Sequence, residues 1–259
     1  MPQIHLHAEP GDYASVVLLP GDPNRATRIA ARFDGGLEAS RLVTAHRGLL
    51  GYTGTVDGVP VSVQTTMMGT PTTAIVVEEL LRLGVTTFVR VGTCGGFPGL
   101  AIGDAVVALS AASLSGIGGP LGGGEPTAPT ADLDVVLALA EASRAAGLVT
   151  HIGPIVTGDV FYDIHPVGMI RWARRGYLAA EMESAALFLL AMRERGSGRP
   201  VRAGTILTVS DVISDSGPAP EGRTLGDETW YRPAEDEVTR RVDLTIGAAL
   251  VAAAALGRS

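Results

Sequence analysis

Short apolar runs alternate with longer amphipathic segments along the 259 residues of the chain. Continuous or alternating apolar runs predict strands, and apolar positions that recur every three or four residues predict helices. The predicted strands are Ser15–Leu19, Gly51–Val56, Val59–Thr65, Thr86–Val91, Asp104–Leu109, His151–Thr157 and Val201–Val209. The predicted helices are Thr72–Leu83, Ala131–Ala146, Glu183–Arg195 and Glu235–Leu256, with another beginning after Asp22.

Turn residues support these boundaries. Asp22 can cap the helix that follows it, with Pro23 at its first position. Asp57-Gly58 between two apolar runs is typical of a β-hairpin. Residues Ser113–Pro129 are rich in Gly and Pro, which predicts a mobile surface loop. The chain shows no internal repeat and no linker, so we expect a single α/β domain over residues 1–259, with a mixed, partly parallel central β-sheet flanked by helices.

Composition excludes several classes of partner. The net charge of −7 argues against nucleic acid and anionic membranes as partners. Cys94 is the single cysteine, which excludes an internal disulfide and a Cys-rich metal site and fits a reducing compartment. The longest apolar stretch, Leu244–Leu256, is too short to span a bilayer, and the first residues have no apolar signal core. We expect a cytoplasmic protein.

All 20 basic residues are arginines. The absence of lysine excludes a P-loop lysine, a Schiff-base enzyme and a lysine general base. An anionic ligand would therefore be held by arginines, backbone N–H groups and hydroxyls.

One apolar run, Phe88–Val91, carries Arg90 inside it and is followed by glycines. A buried guanidinium keeps its charge and needs an anionic partner. A Gly-rich loop after the run, with the Thr93 hydroxyl, would bring further donors to the same anion. The pattern fits an oxyanion site, and it fits equally an arginine that pairs with an internal carboxylate beside an ordinary turn.

A second anion site is indicated at Pro20–Arg25, where a strand ends, the chain turns at Gly21 and Arg25 falls in the first helical turn. A helix start with free N–H groups and an arginine binds anions. The alternative is a capped helix with a solvated arginine. Arg47-Gly48, ahead of the hairpin, is a weaker candidate, since an arginine there is most often simply exposed.

Glu181-Met182-Glu183 lies where an apolar strand becomes a helix. Alternation would point both carboxylates the same way. Carboxylates accept hydrogen bonds from vicinal diols, and a methionine can pack against a sugar face. A helix N-terminus that favours acidic residues through its dipole explains the same pattern.

Two further strand ends carry chemistry. Ser210-Asp211 follows a buried strand, where an acid can exchange protons, although an Asx turn or a helix cap has the same sequence. Phe161-Tyr162 could stack on a flat ring, although aromatic residues after a strand are usually core.

These stretches together resemble one family over nearly the whole chain, the nucleoside phosphorylases of the hexameric bacterial type, which include purine nucleoside and uridine phosphorylases. Their joint order and spacing carry the resemblance. The matching stretches are His5 with Gly11-Asp12, Leu19–Arg25, Arg47–Gly54, Arg90–Gly95, Phe161-Tyr162, Glu181–Glu183 and Ser210-Asp211.

The resemblance implies reversible phosphorolysis of a nucleoside without metal or organic cofactor, with inorganic phosphate as co-substrate. It implies a homohexamer built as a trimer of dimers, in which Arg47 and His5 act across a subunit interface. It implies that Asp211 protonates the leaving base, with Arg223 assisting. The implied phosphate-binding residues are Gly21, Arg25, Arg47, Arg90 and Thr93, and the implied nucleoside-binding residues are His5, Phe161, Glu181, Met182, Glu183 and Ser210.

Details of the resemblance favour purine nucleosides. Thr93 and Glu183-Ser184 are more similar to uridine phosphorylases. The Gln-x-Arg element that reads a pyrimidine in those enzymes is missing after Phe161, and Ser210-Asp211 is of the purine type. Uridine phosphorolysis therefore stays an alternative, as do a phosphate-independent nucleosidase and a non-catalytic ligand-binding member. Met67 replaces the family's usual glycine.

Overall fold

Nine strands among residues 2–161, 167–213 and 235–258, which are the residues that the computed structural model describes, form one mixed β-sheet. The strands are β1 (Val16–Leu19), β2 (Arg41–Thr44), β3 (Gly51–Val56), β4 (Val59–Gln64), β5 (Thr87–Gly96), β6 (Ala105–Ser113), β7 (Thr150–Thr157), β8 (Ala179–Glu181) and β9 (Arg202–Val212). The helices are α1 (Pro23–Ala30), α2 (Gly36–Ala39), α3 (Thr70–Arg82), α4 (Gly118–Leu121), α5 (Leu133–Ala145), α6 (Val167–Ala173), α7 (Ser184–Gly196) and α8 (Glu235–Arg258), with a 3-10 turn at His46–Gly48.

Strand β5 is the centre of the sheet. The strand order is β2-β3-β4-β1-β5-β8-β7-β6-β9, and β9 also pairs with β5, so that β5, β8, β7, β6 and β9 form a closed ring. The pairs β1–β4, β1–β5, β5–β9, β6–β7 and β7–β8 are parallel, and the other four are antiparallel. The predicted mixed, partly parallel sheet with flanking helices is confirmed.

The apolar core lies between the sheet and the long helices. All four residues of β1 are buried, as expected for a central parallel strand that is covered on both faces. Helix α3 packs against α7, and α5 packs against α8. In the described part of the chain, no helix is long and apolar enough to cross a membrane.

The local sequence signals were accurate. Asp22 caps α1, where its Oδ1 accepts a hydrogen bond from the Asn24 amide at 2.9 Å, and Pro23 is the first residue of the helix. Asp57 and Gly58 have φ values of 49° and 74°, the left-handed conformation that a tight hairpin between β3 and β4 requires. The helix cap and the hairpin turn each depend on a few neighbouring residues, which is why the sequence alone predicts them.

Two predicted loops are partly wrong. The sequence predicted a Gly-rich loop after Val91, but strand β5 continues through Gly96. The strand is longer because its last residues pair with β8 and β9. The backbone there is engaged in the sheet rather than in a phosphate-binding loop. Residues 113–129, predicted as a loop, begin inside β6 and contain the short helix α4.

Close packing between α5 and β9 depends on Gly204. A Cβ at this buried position would overlap Cγ1 of Val135, a β-branched side chain that cannot swing away. We expect Gly204→Ala to lower the free energy of unfolding by about 1–3 kcal/mol through overpacking. Urea denaturation measures the change.

Gly196 provides the matched control, because it ends α7 in open space, where a Cβ would have no other heavy atom within 4 Å, and it has no positive φ. We expect Gly196→Ala to leave stability unchanged or to raise it by up to about 1 kcal/mol. Equal destabilisation by the two substitutions would contradict the packing argument.

Candidate active site

The candidate site lies at the carboxyl ends of β1, β5 and β9, beside the end of β8. The sheet register places Leu19 of β1 opposite Arg90 of β5, and Arg90 opposite Thr205 of β9, so Arg90 lies in the middle of the sheet. Loops that leave this edge carry several of the residues predicted to bind ligand. This edge is the usual ligand position in α/β folds.

Arg90 is buried between two carboxylates and is only 5% exposed. Its Nε donates to Glu181 Oε2 at 3.1 Å, and its Nη2 pairs with Glu183 Oε2. Burial disfavours the charge, but Glu183 and Glu181 outweigh it and raise the pKa of Arg90. Its Nη1 is buried without a hydrogen-bond partner among the described residues. Arg90 therefore pairs with internal carboxylates, as one interpretation of the sequence predicted, and its Nη1 remains as a donor for an anion.

Gly92 makes room for this guanidinium. A Cβ at Gly92 would lie 2.8 Å from both Arg90 Nη2 and Leu207 Cδ2. A side chain at this position would therefore displace the charged group on which the site is built.

Glu181 supports the site from within the protein. Its two oxygens accept hydrogen bonds from Thr157 Oγ1 at 2.5 Å, from Ser184 Oγ at 2.9 Å and from the amides of Glu183 and Ser184 at 3.0 Å, in addition to Arg90 Nε. The side chain is 1% exposed. Glu181 is therefore an acid at a helix N-terminus, which is one of the two interpretations of the sequence.

Glu183 joins three elements at the site. Its Oε2 contacts Arg90, and its Oε1 accepts the Gly69 amide at 2.6 Å, at the start of α3. Burial raises the pKa of Glu183, although Arg90 acts in the opposite direction. Met182, between the two acids, is half-buried.

Arg25 brings a second guanidinium to the same place. It is not the solvated arginine of the alternative interpretation, because its Nη1 donates to the Val91 carbonyl at 3.2 Å and its buried Nε has no partner among the described residues. Burial, followed by repulsion from Arg90, lowers its pKa to about 10. Two neighbouring cations with unused donors are the arrangement that binds an oxyanion.

The turn after β1 is closely packed. A Cβ at Gly21 would lie 3.0 Å from the Met67 carbonyl oxygen. Met67 has φ of 59°, a left-handed conformation that favours glycine. Thr93 is half-buried on β5, opposite Thr208 of β9.

Ser210 and Asp211 lie near the end of β9, where Asp211 pairs with Gly95. Ser210 Oγ lies 2.8 Å from Asp211 Oδ1 and 3.2 Å from the Cys94 carbonyl oxygen. The Ser210 hydroxyl has one proton, which it can donate to either of these two acceptors. Ser210 therefore holds the Asp211 carboxyl group beside the end of β5.

The base-binding candidates are only partly described. Phe161 follows β7 and is 53% exposed, so it is not the core residue of the alternative interpretation. Tyr162 and Arg223 lie outside the described residues.

His5 and Arg47 lie in a separate cluster. His5 Nδ1 is 2.7 Å from Glu79 Oε1, and His46 Nδ1 is 2.9 Å from the His5 carbonyl oxygen. Arg47 follows His46 and is exposed. Neither His5 nor Arg47 has a hydrogen bond to Arg90, Arg25 or Glu183 among the described contacts.

Sequence reasoning missed several supporting residues. Glu79 is a buried acid on an otherwise apolar face of α3, which is a usable signal in the sequence. Gly69, Thr157 and Gly92 act through backbone or long-range contacts that leave no local pattern. Within the described ranges, no group of three or more His, Cys, Asp or Glu side chains could hold a metal ion.

Comparison with known proteins identifies the family of the chain. The family model described as "Phosphorylase superfamily" matches residues 15–251. The chain is 37% identical over 249 residues to a purine nucleoside phosphorylase DeoD-type of Geobacillus kaustophilus (strain HTA426), covering 95% of this chain and 98% of that protein.

Two other relatives carry the same description. The protein of Geobacillus sp. (strain WCH70) is 42% identical over 212 residues, with 81% of this chain and 86% of that protein covered. The protein of Roseobacter denitrificans (strain ATCC 33942 / OCh 114) is 38% identical over 229 residues, with 86% and 94% covered. The resemblance seen in the sequence is confirmed, and the chain belongs to the phosphorylase superfamily.

Proposed function

We propose that this protein catalyses the reversible phosphorolysis of purine ribonucleosides and deoxyribonucleosides, giving free base and pentose 1-phosphate. The observation that carries the proposal is the pair of buried guanidinium nitrogens, Arg25 Nε and Arg90 Nη1, that have no partner among the described residues and belong to adjacent side chains. The names of the relatives, purine nucleoside phosphorylases, support the same reaction.

Phosphate binding is assigned to the cationic pair and its surroundings. Arg25 and Arg90 would each give an unused donor to phosphate, Thr93 its hydroxyl and Gly21 its amide. Arg47 would reach the phosphate of a neighbouring subunit, which agrees with its exposed position.

The nucleoside would bind beside Arg90, next to the phosphate. Glu183 would accept the ribose hydroxyls, and Met182 would pack against the sugar. Phe161 would stack on the base, and Ser210 would lie at its edge. His5 would contact the 5′-hydroxyl of a neighbour's substrate, because Glu79 holds its Nδ1 and leaves Nε2 for the ligand. Glu181 would act indirectly by holding Arg90.

The reaction follows from this arrangement. Phosphate attacks C1′ while the bond from C1′ to the purine N9 breaks, and the electron pair of that bond moves onto the base. Asp211 gives its proton to N7, so the base leaves neutral, with Arg223 as the assisting residue. General acid catalysis of this kind contributes roughly 10²–10⁴-fold, and fixing phosphate beside C1′ contributes through proximity.

The wider assignment is part of the same proposal. The whole chain, residues 1–259, would act as one catalytic domain in the cytoplasm, with phosphate as co-substrate and no organic cofactor. The proposal includes a homohexamer built as a trimer of dimers, and the exposed apolar side chains of Ile4, Met68 and Ile75 support contact with another subunit.

The first test is release of base from inosine, adenosine and uridine, each with and without inorganic phosphate. We expect phosphate-dependent release of hypoxanthine or adenine, with uridine slower. Faster uracil release would favour the uridine alternative. Equal release without phosphate would identify a nucleosidase, and no release from any substrate would favour a non-catalytic ligand-binding protein.

Arg25 tests the phosphate site. We expect Arg25→Gln to raise the KM for phosphate about ten-fold or more, because it removes a charge-assisted hydrogen bond, while the KM for nucleoside changes little. Steady-state kinetics at varied phosphate concentration measure this. Arg28→Gln is the control on the same helix, since Arg28 pairs with Asp243, away from Arg90. Similar phosphate KM values for the two variants would rule out the assignment.

Asp211 tests the proton donor. We expect Asp211→Asn to lower kcat for purine nucleosides by about 10²–10⁴-fold with little change in the KM for phosphate, because the amide cannot give up a proton. Asp243→Asn, a change at a surface ion pair, serves as control. Turnover by Asp211→Asn at the wild-type rate would remove Asp211 from this role.

A further inference from the structure

Three histidines surround the point where the N-terminal segment meets the 3-10 turn. We propose that His46 is a positioning residue that ties His5 to Arg47, so that both are presented to a neighbouring subunit as one unit. This inference rests on the proposed function, which gives His5 the ribose 5′-hydroxyl and Arg47 the phosphate.

The first contact is a hydrogen bond. His46 Nδ1 lies 2.9 Å from the carbonyl oxygen of His5. A carbonyl oxygen only accepts, so Nδ1 of His46 carries the proton. The His46 amide donates to Thr44 Oγ1 at 3.2 Å, which anchors the turn to β2. His46, the residue directly before Arg47, is therefore bonded to the backbone of His5.

The second contact is a ring stack. The rings of His7 and His46 are nearly parallel, with 3.7 Å between centroids and an interplanar angle of 14°. Leu6, between His5 and His7, is fully buried. His46 thus holds the N-terminal segment on both sides of its buried anchor.

A third contact fixes His5 from the other side. Glu79 of α3 accepts the Leu6 amide at 2.8 Å, the His5 amide at 3.0 Å and His5 Nδ1 at 2.7 Å. His5 is therefore held from two sides, by Glu79 through its amide and ring and by His46 through its carbonyl oxygen.

Backbone conformation supports the view that the segments around His7 and Arg47 are held in place by their contacts. His7 and Arg47 have φ of 51° and 55° in the left-handed region, which is unfavourable for residues other than glycine. Such conformations persist when surrounding contacts hold them in place. The contacts of His46 lie on both of the strained segments.

Enzyme kinetics test whether His46 positions His5 and Arg47. We expect His46→Ala to raise the KM for phosphate and the KM for inosine together, each by about five-fold, the size of effect of one lost hydrogen bond. We expect His46→Asn to recover most of the loss, because its side-chain amide can donate to the His5 carbonyl. His151→Ala is the matched control, since His151 is half-buried like His46 and pairs with Asp104 instead.

Hydrogen exchange of the His5 and Leu6 amides provides a readout that needs no activity. We expect faster exchange in His46→Ala than in the wild type or His151→Ala. If wild-type protein releases no base, the proposed function fails, and exchange still decides whether the tie exists. Unchanged exchange, a KM rise confined to one substrate, or an Asn variant as impaired as the Ala variant would overturn the inference.

Discussion

The site depends on how the protein keeps a guanidinium in the middle of its sheet. Arg90 cannot lose its charge, and an unpaired charge at 5% exposure would strongly destabilise the fold. Glu181 and Glu183 neutralise it, and each is fixed by other backbone donors. Strand β5, the end of β8 and the starts of α3 and α7 therefore take their relative positions from one ionic cluster.

The same cluster balances charge within the proposed anion site. Two guanidinium groups, Arg25 and Arg90, face two carboxylates, Glu181 and Glu183, so the buried charges balance before phosphate binds. Arg90 Nη1 has no hydrogen-bond partner among the described residues and can donate to phosphate. A carboxylate has about four acceptor positions, so Glu183 can hold Arg90 and Gly69 and still accept ribose hydroxyls.

The sequence predicted what local chemistry decides. The Asp22 cap, the Asp57-Gly58 hairpin and the main strands were correct because a few neighbouring residues specify them. The extension of β5 through Gly96 was not predicted, because glycines favour loops locally and only pairing with β8 and β9 makes them a strand. The role of Glu79 was missed because its partner His5 is 74 residues away.

Helix α3 connects the two parts of the candidate site and separates them. Its first turn follows Gly69, which binds Glu183, and its third turn carries Glu79, which binds His5. Ten residues of helix rise about 15 Å, which is longer than a ribose ring. The helix thus separates these two contacts along its axis, which agrees with the proposal that they serve substrates of different subunits. In the proposed reaction the 5′-hydroxyl contact comes from another subunit, and α3 fixes the spacing between the Glu183 contact and the His5 contact that each chain offers.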